Sequence, residues 1–285
     1  MTPCFAVEFE TPNTFILRGL WFGPAKPRHL VVWVHGLGSS AFGMHRAVRS
    51  IAGKRTAVLT FNNRGHDVVS KLRRGKRSIL GGTAHEKFTD CIDDIQGAIN
   101  FVRRQGIKNV YLAGHSTGCQ KSIYWAAQKK GRGVKGIILL APVSDYAAAL
   151  KYDREGKLAR LTKTARQLVR SGKKHALMPE SILNDGSLND AQRFLSLNTP
   201  DSAETVFPYE QNGKRPRTLQ RVKKPILVLW PEKDEYADRP AKDIAAWFEA
   251  HISSPHRVVI VPKAAHSFRG AERRVAREVR KFIRA

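Results

Sequence analysis

Residues 114–118 read GHSTG, a serine held between two glycines. The stretch before it, NVYLAG (109–114), is a short apolar run, and residues 118–130 follow with helical periodicity. A serine hydroxyl is a weak nucleophile until a base takes its proton and a third group orients that base. A serine in this pattern, between a strand and a helix, is the sharp turn of a nucleophile elbow. The turn is so tight that a Cβ at either flanking position would clash. It aims Ser116 out of a sheet edge at a helix N-terminus, where dipole and free amides favour developing negative charge.

An elbow of this kind is followed along the chain by an acid and then by a histidine. His266, in KAAHSF, lies just past the apolar run HRVVIV (256–261) and before the last helix, level with the elbow. It is the expected general base. Other histidines fit less well. His35, His66 and His85 precede the serine; His175 falls outside the strand–helix rhythm; His251 ends a helix; His256 opens a strand at its far end. His115 adjoins Ser116, and its side chain is expected to point away and pack below the turn. Asp234, in WPEKDEYAD just past the run PILVLW (225–230), is the expected orienting acid, with Glu232, Glu235 and Asp238 as neighbours. A tetrahedral intermediate also needs two N–H donors for its oxyanion. The residue after the nucleophile, Thr117, supplies one. Leu37, in the loop HGLGSS (35–40) after the run HLVVWVH, is expected to supply the other, with Gly36 and Gly38 letting the backbone turn its amide inward.

The elements that must position these residues are legible as a rhythm. Apolar runs at 29–35, 56–61, 109–114, 134–142, 225–230 and 256–261 alternate with helix-period segments at 41–52, 86–105, 118–130, 240–251 and 269–284. That alternation is the pattern of βαβ units and an α/β fold with a mostly parallel sheet. Residues 4–9 and 14–22 read as an opening hairpin or meander, and 62–85 as a long loop carrying NNRGHD and a basic run. From 144 to 222 the rhythm stops. One amphipathic helix is clear there, with Leu158, Leu161, Ala165, Leu168 and Val169 on one face and basic residues largely away from it. Prolines and glycines punctuate the rest. The expected organisation is a core from 1–143 and 223–285 with a helical cap inserted at 144–222. The leucines of the cap helix are expected to wall a pocket over the serine or to pack on its rim, with packing only among the cap helices as the alternative.

Composition bounds the class. The chain has 285 residues, 42% hydrophobic and 8% aromatic, enough to bury a core without staples. Cys4, Cys91 and Cys119 are few, odd in number and widely spaced, which suits a reducing compartment and matches no metal-site spacing. No apolar run approaches membrane-spanning length, and acids in MTPCFAVEFE argue against a signal peptide; a cytoplasmic location is expected. Fifty Lys and Arg against 24 Asp and Glu give a net charge of +26. Such a field attracts anionic substrates, lipids or nucleic acid, but charge describes solubility and stickiness rather than fold. The excess is dense at 71–77, at 151–174 and beyond Arg269.

Taken together in this order on these elements, GHSTG, HGLGSS, Asp234 and His266 resemble the α/β-hydrolase superfamily over the whole chain except the 144–222 segment. NNRGHD, GGTAHEKFTDCIDDI, GHSTGCQ and LLAPVSD are similar to a narrower group that includes fungal siderophore esterases cleaving fusarinine-type hydroxamate esters. The resemblance implies a serine hydrolase acting on a carboxylic ester through an acyl-enzyme, with no metal or organic cofactor. A small-molecule ester, anionic esters included, is the expected partner, with no specific nucleic acid and no membrane insertion. Relatives with an aspartate nucleophile, the haloalkane dehalogenases and epoxide hydrolases, are disfavoured by Ser116. A thioesterase, lactonase or peptidase would share the same constellation. An alternative of another class is a non-catalytic basic module that binds nucleic acid or an anionic partner.

Overall fold

A computed structural model describes residues 2–183 and 187–285. The chain opens with β1 (Cys4–Glu10) and β2 (Phe15–Phe22), then β3 (His29–Val34), α1 (His45–Ile51) and β4 (Thr56–Phe61). A hairpin of β5 (Ser70–Arg74) and β6 (Arg77–Gly81) follows, then α2 (Cys91–Arg104), β7 (Asn109–His115), α3 (Thr117–Lys129) and β8 (Gly136–Leu140). Four helices come next: α4 (Asp145–Tyr152), α5 (Lys157–Arg170), α6 (Ala191–Asn198) and α7 (Arg217–Gln220). The chain closes with β9 (Ile226–Pro231), α8 (Ala241–His251), β10 (His256–Val261) and α9 (Glu272–Arg284).

The strands form one mixed sheet in the order β10-β9-β8-β7-β3-β4-β2-β5-β6, with β1 paired to β2. From β10 to β4 every pairing is parallel; the β2, β5 and β6 side is antiparallel. The period of two along each strand sorts the core into two layers. Leu30, Val32, Leu112, Leu139 and Val228 face a cluster with Ile95 and Ile99 of α2, Ile123 of α3 and Phe248 of α8. Val31, Trp33, Ala113, Ile138 and Leu227 face the opposite way, onto Val48 and Ile51 of α1 and Val275 and Val279 of α9. The result is an α/β/α sandwich. Its parallel strands carry continuous apolar runs because both faces are covered.

The hairpin β5–β6 differs from the expected loop at 62–85. Its turn uses Gly75 at φ 53°. Of its ten strand residues only Leu72 and Gly81 are buried, so the strands carry no apolar run to betray them. Residues before Cys91 form two short 3-10 turns, Thr83–His85 and Phe88–Asp90, so α2 starts later than expected.

The segment between β8 and β9 divides by packing. Ala149, Leu158, Leu161, Ala165, Met178, Ile182, Ala191 and Phe194 make a core of their own. Val206, Phe207, Tyr209, Leu219 and Val222 instead join the layer beneath the sheet. An ion network that the sequence did not suggest fastens this segment down. Lys121 of α3, with no exposed side-chain surface, lies 2.5 Å from Glu86, and Arg193 of α6 reaches both Glu86 (3.0 Å) and Glu204 (2.5 Å). Burial alone would raise the Glu86 carboxyl; Lys121 and Arg193 outweigh it and hold it at about 2.

Candidate active site

Parallel pairing brings the carboxyl ends of β3, β7, β8, β9 and β10 to one edge. Val34 stands beside Gly114, His115 beside Leu140, Leu140 beside Leu229, and Val261 beside Pro231. Each sequence-predicted site residue lies just past one of these ends: Leu37 after β3, Ser116 after β7, Asp234 after β9 and His266 after β10. Such a crevice is where open α/β sheets place their ligands.

Ser116 stands between β7 and α3 at φ 54°, ψ −128°, a backbone region that side chains other than glycine adopt only under constraint. The constraint is visible in its neighbours. A Cβ on Gly114 would lie 2.2 Å from the Gly118 carbonyl oxygen, and one on Gly118 would lie 2.3 Å from that of Val34. A Cβ on Gly36 would sit 2.9 Å from Ser116 Cβ, so the loop after β3 can approach the serine only without a side chain there. The Ser116 N–H donates to the Leu140 carbonyl (3.0 Å), tying the turn to β8.

Thr117 is the first residue of α3, and its N–H has no partner within the helix. Leu37 sits in a turn closed by the Ser39 N–H on the Gly36 carbonyl (3.3 Å), with Gly38 at φ 59°. His35 anchors that loop. Its Nδ1–H donates to the Gly36 carbonyl (2.8 Å) while its Nε2 accepts from the Asn63 N–H (3.3 Å), an arrangement that only one neutral tautomer satisfies. Burial, with the Lys121 cation, pushes this imidazole down to about 3.

His266 Nδ1 lies 2.8 Å from Asp234 Oδ2, and both side chains are nearly or wholly enclosed. The other Asp234 oxygen accepts the Tyr236 N–H (3.0 Å), and the Tyr236 and His266 rings form a T-shaped pair with centroids 4.8 Å apart. The remaining acids do other work. Glu235 accepts the backbone N–H of His266 (2.9 Å), Glu232 that of Lys263 (2.7 Å), and Asp238 pairs with Arg239 (2.8 Å). Lys151 and Tyr152 of α4 donate to the Glu235 carbonyl at 2.6 and 2.9 Å, bracing the same loop from the inserted segment.

His115 differs from its expected place away from the site. Its ring packs 5.0 Å from that of His266, and its Nε2 donates to the His266 carbonyl (3.0 Å). Burial, then the neighbouring His266, pushes it down to about 3, so it stays neutral. Both its hydrogen bond and its ring hold the His266 loop in position. The elbow pattern leaves this position open to any residue, so the sequence carried no signal for the role.

Ser116 and His266 line one cavity of about 340 Å³ together with Leu37, Met44, Val143, Ile182 and Leu197. Among the described residues no hydrogen bond joins Ser116 to His266, a contact that bound substrate tightens in such sites. Asp145, at the start of α4, also lines the cavity. Burial, with Glu204 nearby, raises its carboxyl, and Gln120 Nε2 donates to it (2.7 Å). Leu158, Leu161 and Leu168 of α5 stand elsewhere, around the segment's own core. The cavity wall comes instead from Ala148 and Ala149 of α4, Ile182, Leu183 and Leu197. An apolar face with nothing but sequence to place it can cover a site or a neighbour equally well. Here α5 covers α6.

Among solved structures, the chain is similar over nearly its full length to DcsB, seen in complex with a substrate analogue (16% identity, TM-score 0.69, 99% of this chain and 98% of that one). It is also similar to the alpha/beta hydrolase GrgF from Penicillium sp. sh18 (18%, 0.65, 99% and 98%) and to Est1E from Butyrivibrio proteoclasticus (16%, 0.60, 98% and 97%). These likenesses establish the α/β-hydrolase fold. No curated protein matches the sequence. Residues 74–284, which hold Ser116, Asp234 and His266, match the family described as "Protein of unknown function (DUF1749)", and with that match over most of its length the chain belongs to this family.

Proposed function

We propose that the chain is a serine hydrolase that cleaves a carboxylic ester through an acyl-enzyme. The observation that carries the reading is the strained Ser116 opening into the same cavity as His266, whose Nδ1 is held by Asp234 at 2.8 Å. With Nδ1 committed to the carboxylate, Nε2 is the nitrogen left to take the Ser116 proton. Ser116 attacks the carbonyl carbon, and the negative charge on the carbonyl oxygen is met by the N–H groups of Leu37 and Thr117. His266 then gives its proton to the leaving alcohol. Water, deprotonated by the same imidazole, releases the acid. Asp234 remains ionised throughout, holding the tautomer and stabilising the imidazolium. None of these steps calls on a cofactor.

The shape of the cavity supports a substrate class. Its volume of about 340 Å³ and its apolar lining of Met44, Val143, Ile182 and Leu197 fit a short to medium acyl group, at the small end of ligand pockets. A panel of p-nitrophenyl esters from acetyl to palmitoyl, with acyl-CoAs, lactones and aminoacyl amides beside it, tests the reading. Hydrolysis is expected to peak at short or medium esters and to vanish in Ser116→Ala. Equal activity in that variant, or activity confined to amides or thioesters, overturns the ester assignment.

A further inference from the structure

Outside the cavity, metal-ligating side chains converge where the inserted segment meets the core. His85 ends the turn Thr83–His85 before α2, His175 follows α5, and Asp190 caps α6. His85 Nδ1 lies 3.0 Å and His175 Nδ1 2.9 Å from one and the same oxygen, Asp190 Oδ2. The three ligand atoms are all within 4.8 Å of one another. The two rings stand 6.3 Å apart at 64°, so they approach from different directions.

The carboxylate is held still by the fold. Its second oxygen accepts the Arg193 N–H (2.8 Å), and the Asp190 N–H donates to the Ala84 carbonyl (2.7 Å), next to His85. Its side chain has no exposed surface, and among the described residues its only ion-pair partners are the two imidazoles. A buried carboxylate without a cation is costly. A neutral imidazole offers it a hydrogen bond but no charge; a divalent cation offers charge to all three groups.

We propose that His85, His175 and Asp190 bind a divalent transition metal of the zinc class and that this metal clamps the inserted segment to the core. Two imidazoles and a carboxylate are a donor set suited to zinc and its neighbours, and unlike the all-oxygen sets of calcium or magnesium. Bonds of about 2.0–2.2 Å in tetrahedral geometry put ligand atoms roughly 3.4 Å apart, somewhat wider than the 3.0 and 2.9 Å that separate the two Nδ1 atoms from Asp190 Oδ2. Loading replaces the two imidazole hydrogen bonds to the carboxylate by bonds from all three groups to one ion, and the side chains turn to make room for it. His175 is 59% exposed and His85 16%, so ions enter from solvent and water completes the coordination. Asn189, the neighbour of Asp190, lines the Ser116 cavity, so the clamp stiffens one wall of that cavity. Its role is in holding this wall, and it stands independently of the ester reading.

The test is calorimetric titration of the full chain with Zn²⁺ after chelator treatment and dialysis, at mildly alkaline pH where imidazoles are free to ligate. His175→Ala and His251→Ala are run beside it; His175 is exposed, and circular dichroism checks that its variant keeps the fold. Expected are one equivalent of Zn²⁺ bound by the wild type and by His251→Ala, and none at that affinity by His175→Ala. Zn²⁺ should raise the thermal unfolding midpoint of the wild type and of His251→Ala, each measured against itself without metal, and leave that of His175→Ala unmoved. Wild type that binds no Zn²⁺, or His175→Ala that binds as tightly as wild type, overturns the proposal.

Discussion

At the residue scale, four acids crowd the loop after β9, and their partners separate them. Asp234 has both oxygens engaged at the site, one on His266 and one on the Tyr236 N–H, while Asp238 is turned to Arg239. Asp234→Asn is therefore expected to lower kcat by about 10⁴, the scale of a lost tautomer-holding carboxylate, whereas Asp238→Asn should leave kcat within a few-fold; steady-state kinetics on one ester compares them. Their positions were legible because the chemistry demands an acid just past a strand end. His115 was not, since no rule of spacing distinguishes a residue that props the His266 loop from one that merely fills space. It yields a prediction with a definite sign. Its imidazole is held down to about 3 from an ordinary 6.5, so between those values the unfolded chain binds a proton that the folded chain refuses. Its contribution to stability is complete above pH 6.5 and is lost as pH falls toward 3. Linkage sets the slope at about 1.4 kcal/mol per pH unit for one proton. In His115→Gln, urea unfolding from pH 7 downward should show a shallower fall by up to that slope; an unchanged slope would mean that His115 titrates normally.

At the element scale, the parallel strands were readable because burial on both faces leaves uninterrupted runs such as HLVVWV and ILVLW. The hairpin β5–β6 was hidden because its strands are basic and mostly exposed. Of the helices between β8 and β9 only α5 was legible, and its sequence left open whether its apolar face meets the pocket or its neighbours. The apolar stripe of α5 is spent on α6 and on residues around Met178, away from the cavity. Leu161, 1% exposed, thus belongs to stability. Leu161→Ala should lower unfolding free energy by about 2–5 kcal/mol, the usual cost of a core leucine cut to alanine, while the preference among acyl chain lengths stays as in wild type. Urea titration and the ester panel read the two effects separately, and a shifted acyl preference at unchanged stability would return α5 to the pocket wall.

For the whole molecule, the +26 charge is where composition was least informative. Part of it vanishes into the fold: Lys121 and Arg193 have no exposed side-chain surface and neutralise Glu86 and Glu204. In sequence they look like any solvated charge, because only tertiary packing decides which lysine is buried. Most of the remainder can act at a distance. If it draws anionic esters to the cavity, kcat/KM for such an ester should fall with added salt as screening shortens the field to about 8–10 Å, while a neutral ester of equal size should be unaffected. Equal responses would make the charge a matter of solubility alone. No helix among the described residues is long and apolar enough to cross a membrane.

Covalent labelling with a fluorophosphonate reads whether Ser116 is an activated nucleophile, without knowledge of the substrate. One label per chain is expected, located on Ser116 by peptide mass spectrometry, and absent or slowed by orders of magnitude in a folded His266→Ala variant. A folded wild-type protein that takes no label, or takes it on another residue at the same rate with and without His266, would contradict it.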